Sequence, residues 1–196
     1  MHLALSSILF FMNLRRKHYR NLNKFLPSIL YVMFFNSLYY YFFKHFLLWE
    51  VRSTFVKVKF LRALYIFFVL PNIILLYLSE FPSRFLQQII YLVKWITLSS
   101  AIEYFLFKKT KALSFHHKWS MGWSICIYVK MYLFSYLLLK KPGMIMSLSI
   151  TSTLCFLYLF KPPMSKGFLE GPLLKAIKRA FPRKERKKCF LLRIGE

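Results

Sequence analysis

Between Leu26 and Phe160 the chain strings together five apolar runs of roughly 20 residues each, and no other feature limits the fold as tightly. They are Leu26–Phe46, Phe60–Leu78, Phe85–Phe107, Trp119–Leu139 and Pro142–Phe160. At ~1.5 Å per residue each gives a helix of roughly 30 Å, the thickness of a bilayer's hydrocarbon layer. No polar stripe at helical period runs along them, as it would on a helix of a soluble bundle. They do not alternate as the strands of a membrane barrel do. Helices satisfy every backbone group inside lipid, so the runs predict an all-α, polytopic bundle of about five membrane helices.

Composition points the same way. The 196 residues include 23 Phe and 13 Tyr, and only 18% are charged. A soluble domain carries about a quarter charged residues. One aqueous core of this size cannot hide that much aromatic surface, whereas a bilayer can. The net charge is +24, with the basic residues lying between the apolar runs and in a terminal tail. That is the distribution of loops flanking membrane spans. Nucleic-acid binding would need a soluble face to carry the charge, and it is not expected. Cys126, Cys155 and Cys189 lack metal-type spacing, and no cofactor or metal is expected.

The ends differ from the middle. Residues 1–25 hold about a dozen apolar residues and then a basic cluster, too few to span and in the wrong order for a signal peptide. They predict a retained interfacial or partly inserted helix, with a tilted short span as the second reading. Residues 26–160 form the bundle. Residues 161–196 form a basic tail, in which Leu173, Leu174, Ile177 and Phe181 share a helical face while Lys175, Lys178 and Arg179 face away. Such a helix lies on an anionic lipid surface. Loop Lys and Arg residues tie at eight on each side of the membrane, so the eleven in the tail decide the orientation and put it in the cytoplasm.

Polar groups inside the runs are the candidate sites. Pro71 removes a backbone donor and should kink the second helix. Lys94, Glu103 and Lys130 each need a partner or an escape, because a central charge costs roughly 2.5–3.5 kcal/mol on insertion scales. For Lys94 and Lys130 the expected escape is snorkelling to the far interface. Glu103 sits about one turn below the end of its helix, and a short loop makes the next helix its antiparallel neighbour. Ser99, one turn before Glu103, and Trp119, Trp123 and Ser124 from the facing helix are the donors at matching depth. They predict an intramembrane polar latch. A proton or cation site at Glu103 is the sharper alternative. A metal site with His116 and His117, or a serine nucleophile at Ser124, lacks convergent partners.

Several landmarks occur in order: "KFLPSILYVMFFNSLYY", "LLWE", "FVLPNIILLYL", "FPSRFLQQIIYLVKWITLSSAIEYF", "HHKWSMGWS" and "LKKPGM". Together they resemble an uncharacterised family of small multi-pass membrane proteins from Bacillus, Clostridium and other Firmicutes. The resemblance covers Met1 to Ser149. Its most specific motif is a Glu in one helix followed by Trp-x-x-x-Trp-Ser opening the next, here Glu103, Trp119, Trp123 and Ser124. The family carries an Arg and a His before "KKP", where this chain has Tyr136 and Leu138. The resemblance implies a bacterial cell membrane and no particular activity. The expected function is non-enzymatic: a membrane subunit or scaffold binding membrane lipid, another membrane protein or itself. A small carrier or ion-coupled protein using Glu103 is the alternative.

Overall fold

The computed structural model describes residues 2–43, 46–51, 57–109, 113–116 and 119–162. Six helices carry nearly all of it. α1 is His2–Arg15. A short 3-10 turn, His18–Asn21, leads into α2, Leu22–Phe42. α3 runs Val58–Ser79, α4 Phe85–Lys108, α5 Met121–Leu138 and α6 Pro142–Phe160. Two three-residue strands, β1 (Trp49–Val51) and β2 (Leu113–Phe115), complete the described elements.

α3, α4, α5 and α6 are each long and apolar enough to cross a membrane, so the chain is a polytopic helical membrane protein. α2 is as long, with 21 residues. Asn36, Ser37 and three consecutive tyrosines, Tyr39, Tyr40 and Tyr41, dilute its apolar character. It begins and ends about one turn earlier than the apolar run predicts, because the helix closes on Phe43 before the turn into β1.

α2, α3 and α5 form the centre. Ile29 and Val32 of α2, Ile74 and Leu75 of α3, and Tyr132 of α5 share one buried cluster. Small hydroxyls stitch it. Ser28 Oγ donates to the Ser135 carbonyl at 2.6 Å, and Tyr31 and Ser149 share a 2.6 Å hydrogen bond. Ser28, Ser135 and Ser149 are fully buried. In lipid such bonds hold helices together where the hydrophobic effect no longer discriminates. α4 and α6 are more peripheral, with 6% and 11% of their most apolar windows buried against 50% for α3, although Ile145 and Ser149 of α6 reach the centre. α4 packs along α5, and α6 also packs on α5.

Pro71 does not simply bend α3. The five residues before the final helical turns, Tyr65–Val69, adopt π-helical hydrogen bonding, and Leu70 N–H reaches back to the Tyr65 carbonyl. The wider turn accommodates a proline that cannot donate, so the interruption is spread over a segment. The Asn72 amide donates to the Phe68 carbonyl at 2.8 Å, supplying a donor to that same turn.

α1 runs beside α3 rather than across the end of the bundle. Leu9 packs on Val69 and Leu76, and Phe10 stacks on Phe68 with ring centroids 5.9 Å apart. These contacts lie along Phe68–Leu76, in the second half of α3. Asn13, fully buried, donates to the Asn72 carbonyl at 3.0 Å and to its side-chain oxygen at 3.2 Å. Tyr19 donates to the same oxygen at 2.6 Å.

β1 and β2 pair antiparallel, with Trp49 opposite Phe115 and Val51 opposite Leu113. The α2–α3 and α4–α5 loops are thereby fastened together at one end of the bundle. Arg62 at the start of α3 is ion-paired to Glu50 of β1. Tyr39 caps the turn: its hydroxyl accepts from the Leu48 and Trp49 amides, and its ring stacks on Trp49 at 5.6 Å. The tail residues Lys175, Lys178 and Arg179 lie outside the described residues.

Candidate functional site

Glu103 is buried in the face that α4 turns to α5. Ser124 of α5 donates to its Oε1 at 2.7 Å, and Trp119 Nε1 donates to Ser124 Oγ at 3.1 Å. Tyr128, one turn below Ser124, gives the carboxylate a second hydroxyl. Local geometry explains the order. Ser120 is extended and its carbonyl accepts from Trp123 and Ser124, so α5 starts at Met121 and Trp119 lies before it. The indole folds back over the first turn to reach Ser124.

Two of the predicted partners stand elsewhere. Ser99 pairs with the Tyr132 hydroxyl at 2.6 Å, one turn below the carboxylate. Trp123 turns to α6, its ring 5.5 Å from Phe156 and 5.4 Å from Phe160. Helical rotation separates Trp123 from Ser124 by about 100°, so adjacent residues at one depth face different helices. Tyr128 and Tyr132 are the partners that depth matching overlooked. Their signal was Ser124, Tyr128 and Tyr132 at four-residue steps, one face of one helix.

Lys130 does not snorkel to the far interface. Its Nζ donates to Ser152 Oγ of α6 at 3.1 Å and lies 5.4 Å from the Phe35 ring centroid. A partner within reach on the neighbouring helix replaces the escape. Lys94 is exposed and has no hydrogen bond or ion pair among the described residues.

A second polar network closes the opposite end. Glu80, at the end of α3, pairs with Arg16, and His18 Nε2 is 3.6 Å from the same carboxylate oxygen. His18 Nδ1 then meets Asn13 Oδ1 at 3.2 Å.

Between the two networks runs a cavity of about 470 Å³. Leu9 and Met12 of α1, Val69 and Ile73 of α3, Trp95 of α4 and Met131 of α5 supply apolar wall. Glu103 and Ser124 line one end, and Arg16 and Glu80 line the other. The size falls within the roughly 300–1,000 Å³ of ligand pockets. No group of three or more His, Cys, Asp or Glu is placed to hold a metal among the described residues.

These features define a helical membrane protein with a polar-ended apolar cavity. Searches for likeness go no further: no family model, no curated protein and no solved structure matches the chain.

Proposed function

We propose that this is a non-enzymatic, multi-pass protein of a bacterial cell membrane, a subunit or scaffold that docks a helix of another membrane protein on α6. The observation that carries the reading is the outer face of α6. Gly143, Ser147, Thr151 and Cys155 recur every four residues and are all exposed. A Cβ on Gly143 would meet nothing within 4 Å, so its smallness serves no packing among the described residues. Ser147 Oγ donates to the Gly143 carbonyl at 3.1 Å and Thr151 Oγ1 to the Ser147 carbonyl at 3.0 Å, which leaves the stripe polar-satisfied and close-packable. Stripes of this spacing let helix backbones approach closely in membranes.

Extraction of the full chain in mild detergent, followed by sizing and identification of what co-elutes, tests the reading. A stoichiometric membrane polypeptide should accompany the wild type and be lost in Ser147→Leu. Elution alone, with the wild type and the variant indistinguishable, sinks it. Co-elution with a second copy only would replace the partner by self-association.

A small carrier working through Glu103 is a second reading, favoured by the placement of that carboxylate on the cavity wall. Cation- or proton-coupled flux in reconstituted vesicles, abolished in Glu103→Gln with the fold retained, would support it. The hydroxyls of Ser124 and Tyr128 already occupy the carboxylate, which favours the structural role.

A further inference from the structure

The cavity is walled mainly by apolar side chains, and Lys94 is a lining charge with no hydrogen bond or ion pair among the described residues. α4 packs its length on α5 instead of on α3, although it follows α3 directly in the chain. Where α3 and α4 do meet, they do so through aromatic side chains: Tyr91 donates to the Tyr77 carbonyl at 3.2 Å, and Trp95 lies 5.8 Å from the Tyr77 ring. Beyond those rings a gap opens between α1 with α3 on one side and α4 with α5 on the other. Ile8, Leu98 and Ile102 line it and are exposed, so it opens sideways towards the surrounding hydrocarbon. In a bilayer an apolar gap of this kind fills with chain rather than with water.

Lys94 sets the polarity of that chain. It lines the same cavity and is exposed at its mouth. It is nine residues from Phe85, roughly 13 Å along the helix, well inside the hydrocarbon layer. Of the other ionisable groups lining the cavity, Arg16 and Glu80 pair with each other, and Glu103 is held by neutral hydroxyls of α5. An ammonium at this depth with no partner among the described residues calls for an anion that can sink to it. A phospholipid phosphate is held at the headgroup level and drags two chains. A carboxylate on a single chain is small enough to follow the cavity down.

We infer that the cavity binds a long-chain fatty acid, its carboxylate on Lys94 and its chain along the walls of α1, α3, α4 and α5. α6 contributes nothing to the cavity, so this site is independent of the docking face on α6.

Trp49, Trp95 and Trp119 line the cavity and serve as reporters. The purified full chain in a neutral detergent is titrated with dibrominated stearate, whose bromines quench tryptophan on contact. Saturable quenching is expected. The methyl ester of the same acid should bind about tenfold more weakly, as should the acid with Lys94→Gln, a difference of ~1.4 kcal/mol. Lys94→Arg should restore binding, and Ser147→Leu should leave it unchanged. Quenching that does not saturate overturns the inference, as does equal quenching by the ester or by Lys94→Gln. Tighter Lys94-dependent binding of a brominated phosphatidylglycerol would also overturn it, by making the site one for phospholipid. If Lys94→Gln does not fold, the comparison of acid with ester on the wild type decides alone.

Discussion

Glu103 shows how one carboxylate inside a membrane helix is kept quiet. Two hydroxyls from α5 hold it, and an indole N–H holds one of those hydroxyls in turn. Glu103→Ala leaves Ser124 and Tyr128 without an acceptor. The expected cost is about 1–3 kcal/mol, read as a lower thermal midpoint in detergent. In Glu103→Gln the amide oxygen still accepts from Ser124, so the loss should be smaller. A double-mutant cycle with Ser124→Ala should return a coupling of roughly 0.6–1.7 kcal/mol, the range for hydrogen bonds between membrane helices. No coupling would mean that Ser124 is a neighbour and not a partner. This much of the site was legible, because a short loop brings two helix ends to the same depth. The facing of each side chain was less so: Trp123 and Ser124 are consecutive, and only the phase of α5 tells which one meets α4. Lys130 was misread for a related reason. Its partner Ser152 sits on a third helix, whose angular position no local pattern fixes.

At the scale of elements, the runs and their order follow from hydropathy and length, and α3 to α6 lie where those predict. The two strands do not. Each has three residues, and the pairing joins loops that are far apart in the chain. Trp49 opposite Phe115 is a cross-strand aromatic pair that no repeat or motif announces. Arg62 supports the ribbon through Glu50, and both groups are mostly buried, at 24% and 16% exposed. Arg62→Gln should therefore remove this ion pair from the partly buried Glu50. We expect faster amide exchange at Leu113–Phe115, with protection in the centre of α5 unchanged. Equal protection of the ribbon in the variant would show that the pair is incidental. At α1, Asn13→Leu removes the donor to Asn72 and should raise protease cutting after Arg15 and Arg16. Wild-type cutting rates would mean that Leu9 and Phe10 hold the helix without it.

For the whole molecule, the ribbon fixes which loops share a side, whereas the charge count bears on which side faces the cytoplasm. The α2–α3 and α4–α5 loops must lie on one side of the membrane, with the α3–α4 link on the other. Single cysteines at Lys57 and Lys109, in a background free of other thiols, should react with an impermeant maleimide from the same side of sealed vesicles. A cysteine at Arg84 should react from the opposite side only. Labelling of Lys57→Cys and Arg84→Cys from one side would break the arrangement. α3 and α4 form a pair of helices tied at both ends, by the ribbon at one and by the five-residue link 80–84 at the other. A pair tied in this way behaves as a buttonhole. It can bow to admit something slender from the side, but neither end can splay. A ligand entering the proposed site by this route would be selected by thickness before any charge is read, and a whole helix would be too thick.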